Sequence, residues 1–329
     1  MYTNIFPVGN MKRYHSFSEY IKARYCGRLQ KVVIDAGFTC PNRDGTIGVG
    51  GCTFCNNQAF HPTYSHPEIN IHQQIDDGIL FHRERYARAK GFLAYFQSYS
   101  NTYAPLERLK QVYEEALSHP KIVGLVIGTR PDCVDGQKLD YLTELSRKYI
   151  IFIEYGVESC YNHTLQRIRR GHTFEQAHEA IHQSAQRGLQ TGAHFIFGLP
   201  GETKDDMMRS TSIIGALPLT SVKFHQLQII KGTDMEHEYI QHPNDFVSFS
   251  LPEYIDFFVD YLERFNPDIA IERFAGEVPP RFVTETPWGL IRYADLVKIL
   301  EKRLEERGTR QGRLYRTIAP QSAFSSLHP

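Results

Sequence analysis

Three cysteines, Cys40, Cys52 and Cys55, share one short segment, CPNRDGTIGVGGCTFC, in a C-x11-C-x2-C arrangement. Thiolates are soft ligands, and in a reducing compartment such a group reads as metal-binding or catalytic before it reads as a disulfide framework. Gly45, Gly48, Gly50 and Gly51 allow tight turns that let the thiolates converge and leave room for a bulky ligand. Three thiolates without an obvious fourth leave two metals open. One is an iron–sulfur cluster with an iron that lacks a protein ligand; the other is zinc, with His61 completing a Cys3His tetrahedron. The bland alternative is a set of inert buried cysteines. For the isolated Cys26, Cys133 and Cys160 that reading, a small buried hydrophobe, is the favoured one.

Other residue types that do chemistry carry weaker signals. Arg130 and Asp132, in GTRPD, either read a substrate or pair with each other. GLPGET (198–203) is a Gly-rich turn opening a helix, but as a phosphate loop it is weak because it lacks the Gly-Lys-Ser/Thr ending. Glu154 reads as a partner for a nearby base, and His66 and His72 as loop and helix-surface residues. Arg307, Arg310, Arg313 and Arg316 form a basic strip near the C-terminus. Such a run is a solvated face by default, and a phosphate-reading surface if the substrate is RNA.

The elements that must position these groups follow from periodicity. Short apolar runs at 31–36, 92–97, 122–128, 150–156, 192–198 and 221–229 alternate with amphipathic stretches, which predicts parallel strands covered by helices. Pro105 opens one helix; Thr173 with Gln176, and Thr203 with Asp206, read as capping boxes opening two more. One helix is predicted over 71–90, and beyond about residue 231 come helices opened by Pro252 and spanning 290–307. The expected fold is α/β: a partial (β/α)6 barrel of parallel strands with a C-terminal, mainly helical α+β extension. The expected boundaries are 1–30 for an N-terminal lead-in, 31–230 for the barrel, 231–320 for the extension and 321–329 for a loose tail. Parallel α/β units place their sites at the carboxyl ends of strands, and the cysteine segment follows the first strand directly.

Composition bounds the partners. The chain has 329 residues with 37 basic and 37 acidic side chains, so it carries no net field for phosphate or anionic lipid. No stretch approaches the ~20 apolar residues of a membrane span, and the start of the chain has no signal-peptide core, so the expected location is cytoplasmic.

The cysteine loop resembles that of radical S-adenosylmethionine (SAM) enzymes, whose third cysteine follows an aromatic, here Phe54. The likeness extends to the YhcC-like radical SAM family through IDAGFTCPNRDG (34–45), GGCTFC (50–55), AYFQSYSNTYAP (94–105), GTRPDC (128–133) and GLPGET (198–203). A weaker similarity, in GVES (156–159) and RGHT (170–173), reaches the radical SAM part of the elongator catalytic subunit, which modifies transfer RNA. The resemblance implies that Cys40, Cys52 and Cys55 hold a 4Fe-4S cluster whose open iron takes the amino and carboxylate groups of SAM. Reductive cleavage would then give a 5′-deoxyadenosyl radical. It further implies that Phe54 flanks the adenine, Gln97 binds the SAM amino group, Glu158 accepts from the ribose hydroxyls and Arg170 holds the carboxylate. At Gln97 the chain has YFQS where many members have a GGE-like turn. The implied partners are a one-electron reductant of flavodoxin or ferredoxin type and a small-molecule or transfer RNA substrate. A zinc-stabilised binding module is the alternative from another class.

Overall fold

The computed structural model describes residues 12–56, 62–83 and 87–316. His61 and the tail 321–329 lie outside them. Seven parallel strands run in chain order across one sheet: β1 (Leu29–Ile34), β2 (Gly91–Phe96), β3 (Ile122–Thr129), β4 (Ile150–Glu158), β5 (Gln190–Phe197), β6 (Ser221–Gln226) and β7 (Ala270–Arg273). Strands in sequential order, joined by helices on one face, curl into a partial barrel. The expected partial barrel is therefore present with one strand more than expected: β7 comes from the segment read as extension. Its four residues are too few to carry a pattern.

The helices are α1 (Phe17–Tyr25), α2 (Ile71–His82), α3 (Leu106–Ser118), α4 (Gly136–Ser146), α5 (Asn162–Arg167), α6 (Phe174–Gln186), α7 (Lys204–Gly215), α8 (Asp234–Gln241), α9 (Leu251–Arg264) and α10 (Tyr293–Glu306). Both expected capping boxes form, on α6 and α7, and a third, Ser250 with Glu253, opens α9. Pro105 is the N-cap of α3 rather than its first helical residue. α2 stops at His82, short of the predicted 90.

Alternation along the strands sorts side chains to two sides. Ile151, Ile153, Tyr155 and Val157 of β4 face the main core under the helices. Phe152 joins Leu93, Tyr95, Val126 and Ala270 in a smaller cluster inside the barrel, closed from below by Phe17 and Ile21 of α1. The N-terminal segment thus plugs the barrel floor. It also covers the last strand's free edge: Ser16 bridges Ile271, whose amide donates to the His15 carbonyl at 2.7 Å. Among the described residues no helix is long and apolar enough to cross a membrane.

Candidate active site at the barrel mouth

The loop leaving β1 is folded by its own backbone. The Cys40 carbonyl accepts from the amides of Arg43 and Asp44, Asp44 bridges Val49, and the Gly51 amide donates to the Asn42 carbonyl at 2.8 Å. Gly50 and Gly51 have φ of 87° and 94°, which few L side chains adopt, so the turn into Cys52 depends on them. Among the described residues none of the three is in a disulfide; Cys40 and Cys52 are buried and Cys55 is half-buried. Two cations face them jointly. Arg43 lies within electrostatic reach of Cys40 and Cys55 and donates to the Cys55 carbonyl at 2.9 Å. Arg170 lies within reach of Cys40 and Cys52, with Nη1 3.5 Å from Cys52 Sγ. Burial pushes the Cys55 thiol up and the neighbouring Cys52 adds to this, while Arg43 and Arg170 pull it down.

Arg170 connects the cysteine loop to the end of β4. Its Nη2 donates to the Gly156 carbonyl at 2.6 Å and lies 3.5 Å from Glu158 Oε1, while its Nε is buried without a partner among the described residues. Glu158 sits where the β4–β5 register slips, with φ of 74°. A left-handed non-glycine residue there costs of order 1–3 kcal/mol, a strain that clusters at functional sites. Gly156 makes the pair sterically feasible: a Cβ on it would lie 2.6 Å from Glu158 Oε1 and 2.7 Å from Arg170 Nη2. His172 Nε2 is 3.3 Å from the same Gly156 carbonyl, and burial together with Arg170 lowers its pKa to about 2, so the ring is neutral.

The choice left open for Arg130 is settled. It is buried, makes a two-pronged pair with Asp132 at 2.9 and 2.8 Å, and donates Nη1 to the Arg170 carbonyl at 2.6 Å. Arg130 and Asp132 thus brace the backbone that carries Arg170. From GLPGET it is Glu202 that reaches the β4 end, accepting from Ser159 Oγ; burial pushes its carboxyl up to about 7. Gln97 stands half-buried just past β2, on the wall two strands from Glu158, and Phe54 is half-buried against the main core.

Below the mouth, five strands supply an ionic layer, joined by the Tyr95 hydroxyl of β2, that sequence reading found only in part. Glu154, buried on β4, accepts from Lys31 Nζ at 2.7 Å, Lys223 Nζ at 2.5 Å and His194 Nε2 at 3.1 Å. Lys31 also meets Glu272 at 2.5 Å, linking the first strand to the last, and Lys223 donates to the Tyr95 hydroxyl at 3.1 Å. Burial alone would raise the Glu154 pKa; Lys223 and Lys31 overcome it and hold the carboxylate ionised. The expected base partner for Glu154 is thus two lysines and a histidine. The signal available in the sequence was a charged residue at an inward position of an otherwise apolar strand, as in KVVIDA and SVKFHQ.

Other expectations fall outside this site. Cys133 and Cys160 are buried, and burial pushes the Cys133 thiol up to about 12. Cys26 departs from its expected burial: it is exposed, at the left-handed C-cap of α1. His66 is exposed, and His72 bonds the end of α3 from the surface of α2. Arg307 pairs with Asp260 at 2.6 Å and Arg313 with Glu263 at 2.9 Å, both carboxylates on α9, so half of the basic strip is engaged in fixing the C-terminal segment.

In comparisons with known proteins, the Radical SAM superfamily profile matches residues 40–212 and the Radical_SAM C-terminal domain profile matches residues 219–306. The chain is 32% identical over 325 residues to the uncharacterized protein YtqA of Bacillus subtilis, covering 98% of this chain and 100% of that one. It is likewise 32% identical over 310 residues to protein YhcC of Escherichia coli, covering 94% and 98%. Among solved structures, archaeal Elp3 of Methanocaldococcus infernus superposes with a TM-score of 0.61 at 17% identity, over 86% of this chain and 64% of that one, a likeness of fold.

Proposed function

Because the chain belongs to the radical SAM superfamily, and within it to the YhcC-like family, we propose that Cys40, Cys52 and Cys55 hold a 4Fe-4S cluster at which SAM is bound and cleaved. When bound, the cluster supplies one electron to the sulfonium of SAM, which yields the 5′-deoxyadenosyl radical that members of this superfamily direct at a substrate. The residues present fit both groups. Three cysteines on one loop offer sulfur ligands, and Arg43 and Arg170 beside them offset the charge of thiolates. Membership in an enzyme superfamily sets aside the zinc-stabilised binding module.

The observation that carries the reading is the Arg170 side chain, which touches the Cys52 sulfur with one nitrogen and keeps another, Nε, buried and without a partner among the described residues. A buried guanidinium donor without an acceptor is costly to leave unmade, and a carboxylate of SAM beside the cluster supplies the acceptor. Glu158, held next to Arg170 by the bulge, presents its carboxylate to the ribose hydroxyls. Gln97, past the end of β2, would take the amino group of SAM, and Phe54 would flank its adenine. The test is anaerobic reconstitution of alanine variants, scored by iron and sulfide content. Loss of the cluster in Cys40→Ala, Cys52→Ala and Cys55→Ala, with Cys26→Ala loading normally, is expected; equal loss in Cys26→Ala would mean a different ligand set.

A further inference from the structure

We propose that Asn42 is a positioning residue that sets the reduction potential of the cluster through a side-chain N–H···S bond to Cys52. The inference rests on the cluster reading above and concerns a residue outside every assigned role. Asn42 is buried, with Nδ2 3.5 Å from Cys52 Sγ. The same nitrogen donates to the Arg169 carbonyl at 2.5 Å and lies 3.3 Å from that of Arg170. The amide therefore offers one hydrogen to the RRGHT backbone and the other to sulfur. A flipped amide would set its oxygen against two carbonyls and a thiolate, so the donor orientation is the one the surroundings permit.

The placement is tightly determined. A Cβ on Gly171 would lie 2.7 Å from Asn42 Oδ1, and one on Gly48 would lie 3.1 Å from it, so two glycines make the pocket that holds the amide. The Asn42 carbonyl also fixes the turn before Cys52 by accepting from Gly51. Cys52 thus receives a neutral donor from Asn42 and a cationic one from Arg170, from opposite ends of the chain segment that forms the mouth. A donor to a thiolate sulfur withdraws negative charge from the iron it ligates, which makes adding an electron less unfavourable. One electron enters from a donor of flavodoxin or ferredoxin class, no covalent bond changes, and the bonds to Cys52 favour the reduced form.

The experiment is an EPR-monitored redox titration of the reconstituted native protein and of two variants, Asn42→Leu, which removes the donor, and Asn42→Asp, which keeps the shape but offers only acceptors. Both variants should load a full cluster with a midpoint more negative than native, Asn42→Asp the more so. A fully loaded variant with the native midpoint overturns the proposal. So does failure of both to load a cluster, because Asn42 would then be a prop of the loop and not a modulator of its metal. Absence of a cluster from the native protein would instead sink the cluster reading itself, so the two failures are told apart.

Discussion

On the proposed reading, single side chains decide how SAM is held. Arg170→Ala and Glu158→Ala should each weaken SAM binding by roughly 1.5–3 kcal/mol, the scale of charge-assisted hydrogen bonds. Equilibrium binding to reconstituted protein measures this, and unchanged affinity in both variants would reject the two roles. Glu202 makes a separate prediction about pH. Burial raises its carboxyl from 4.5 to about 7, so between those values the folded state binds the proton that the unfolded state has released. Stability should then fall as pH rises from about 4.5 to about 7, by roughly 3 kcal/mol at 1.36 kcal/mol per unit. Glu202→Gln, which cannot ionise, should flatten that part of the profile in urea titrations; an unaltered slope would place the pH dependence elsewhere.

At the scale of elements, the barrel owes its shape to what each strand aims inward. Glu154 has glycines, Gly128 and Gly192, as its register neighbours on β3 and β5, which leaves room for lysines from β1 and β6 to cross to it. Removing one partner of a buried ion pair leaves charge uncompensated, so Lys223→Met should destabilise the protein by about 3–5 kcal/mol, read as a lower urea midpoint. A stability equal to native would show that Lys31 and His194 suffice for Glu154. This layer was poorly legible in the sequence because its members, Lys31, Glu154, His194, Lys223 and Glu272, come from five strands and meet only when the sheet curls. Local features were legible: the capping boxes of Thr173 and Thr203 depend on residues three apart, and both formed as read. The plug α1 and the four-residue β7 were not, since neither has enough periodic positions to separate it from a loop, and burial of their apolar faces is decided by distant strands.

Across the whole molecule, charge is balanced and largely spoken for. With 37 basic and 37 acidic side chains, attraction to a polyanion must come from a local patch, and pairing of Arg307 and Arg313 with α9 leaves Arg310 and Arg316 as the remainder of the expected strip. The cysteine spacing carried a readable hint of metal chemistry; the residues around it, Asn42, Arg43 and the Arg130–Asp132 brace, were not legible, since they act through backbone carbonyls that no motif announces. The fold delivers one mouth in which thiols, two arginines and a strained glutamate meet over an ionic layer and an apolar plug. The most direct measurement is the yield of 5′-deoxyadenosine from reduced, reconstituted protein incubated anaerobically with SAM. The native chain and Cys26→Ala should form it and Cys52→Ala should not, whereas a native protein that carries an intact, reduced cluster and leaves SAM uncleaved would contradict the proposed function.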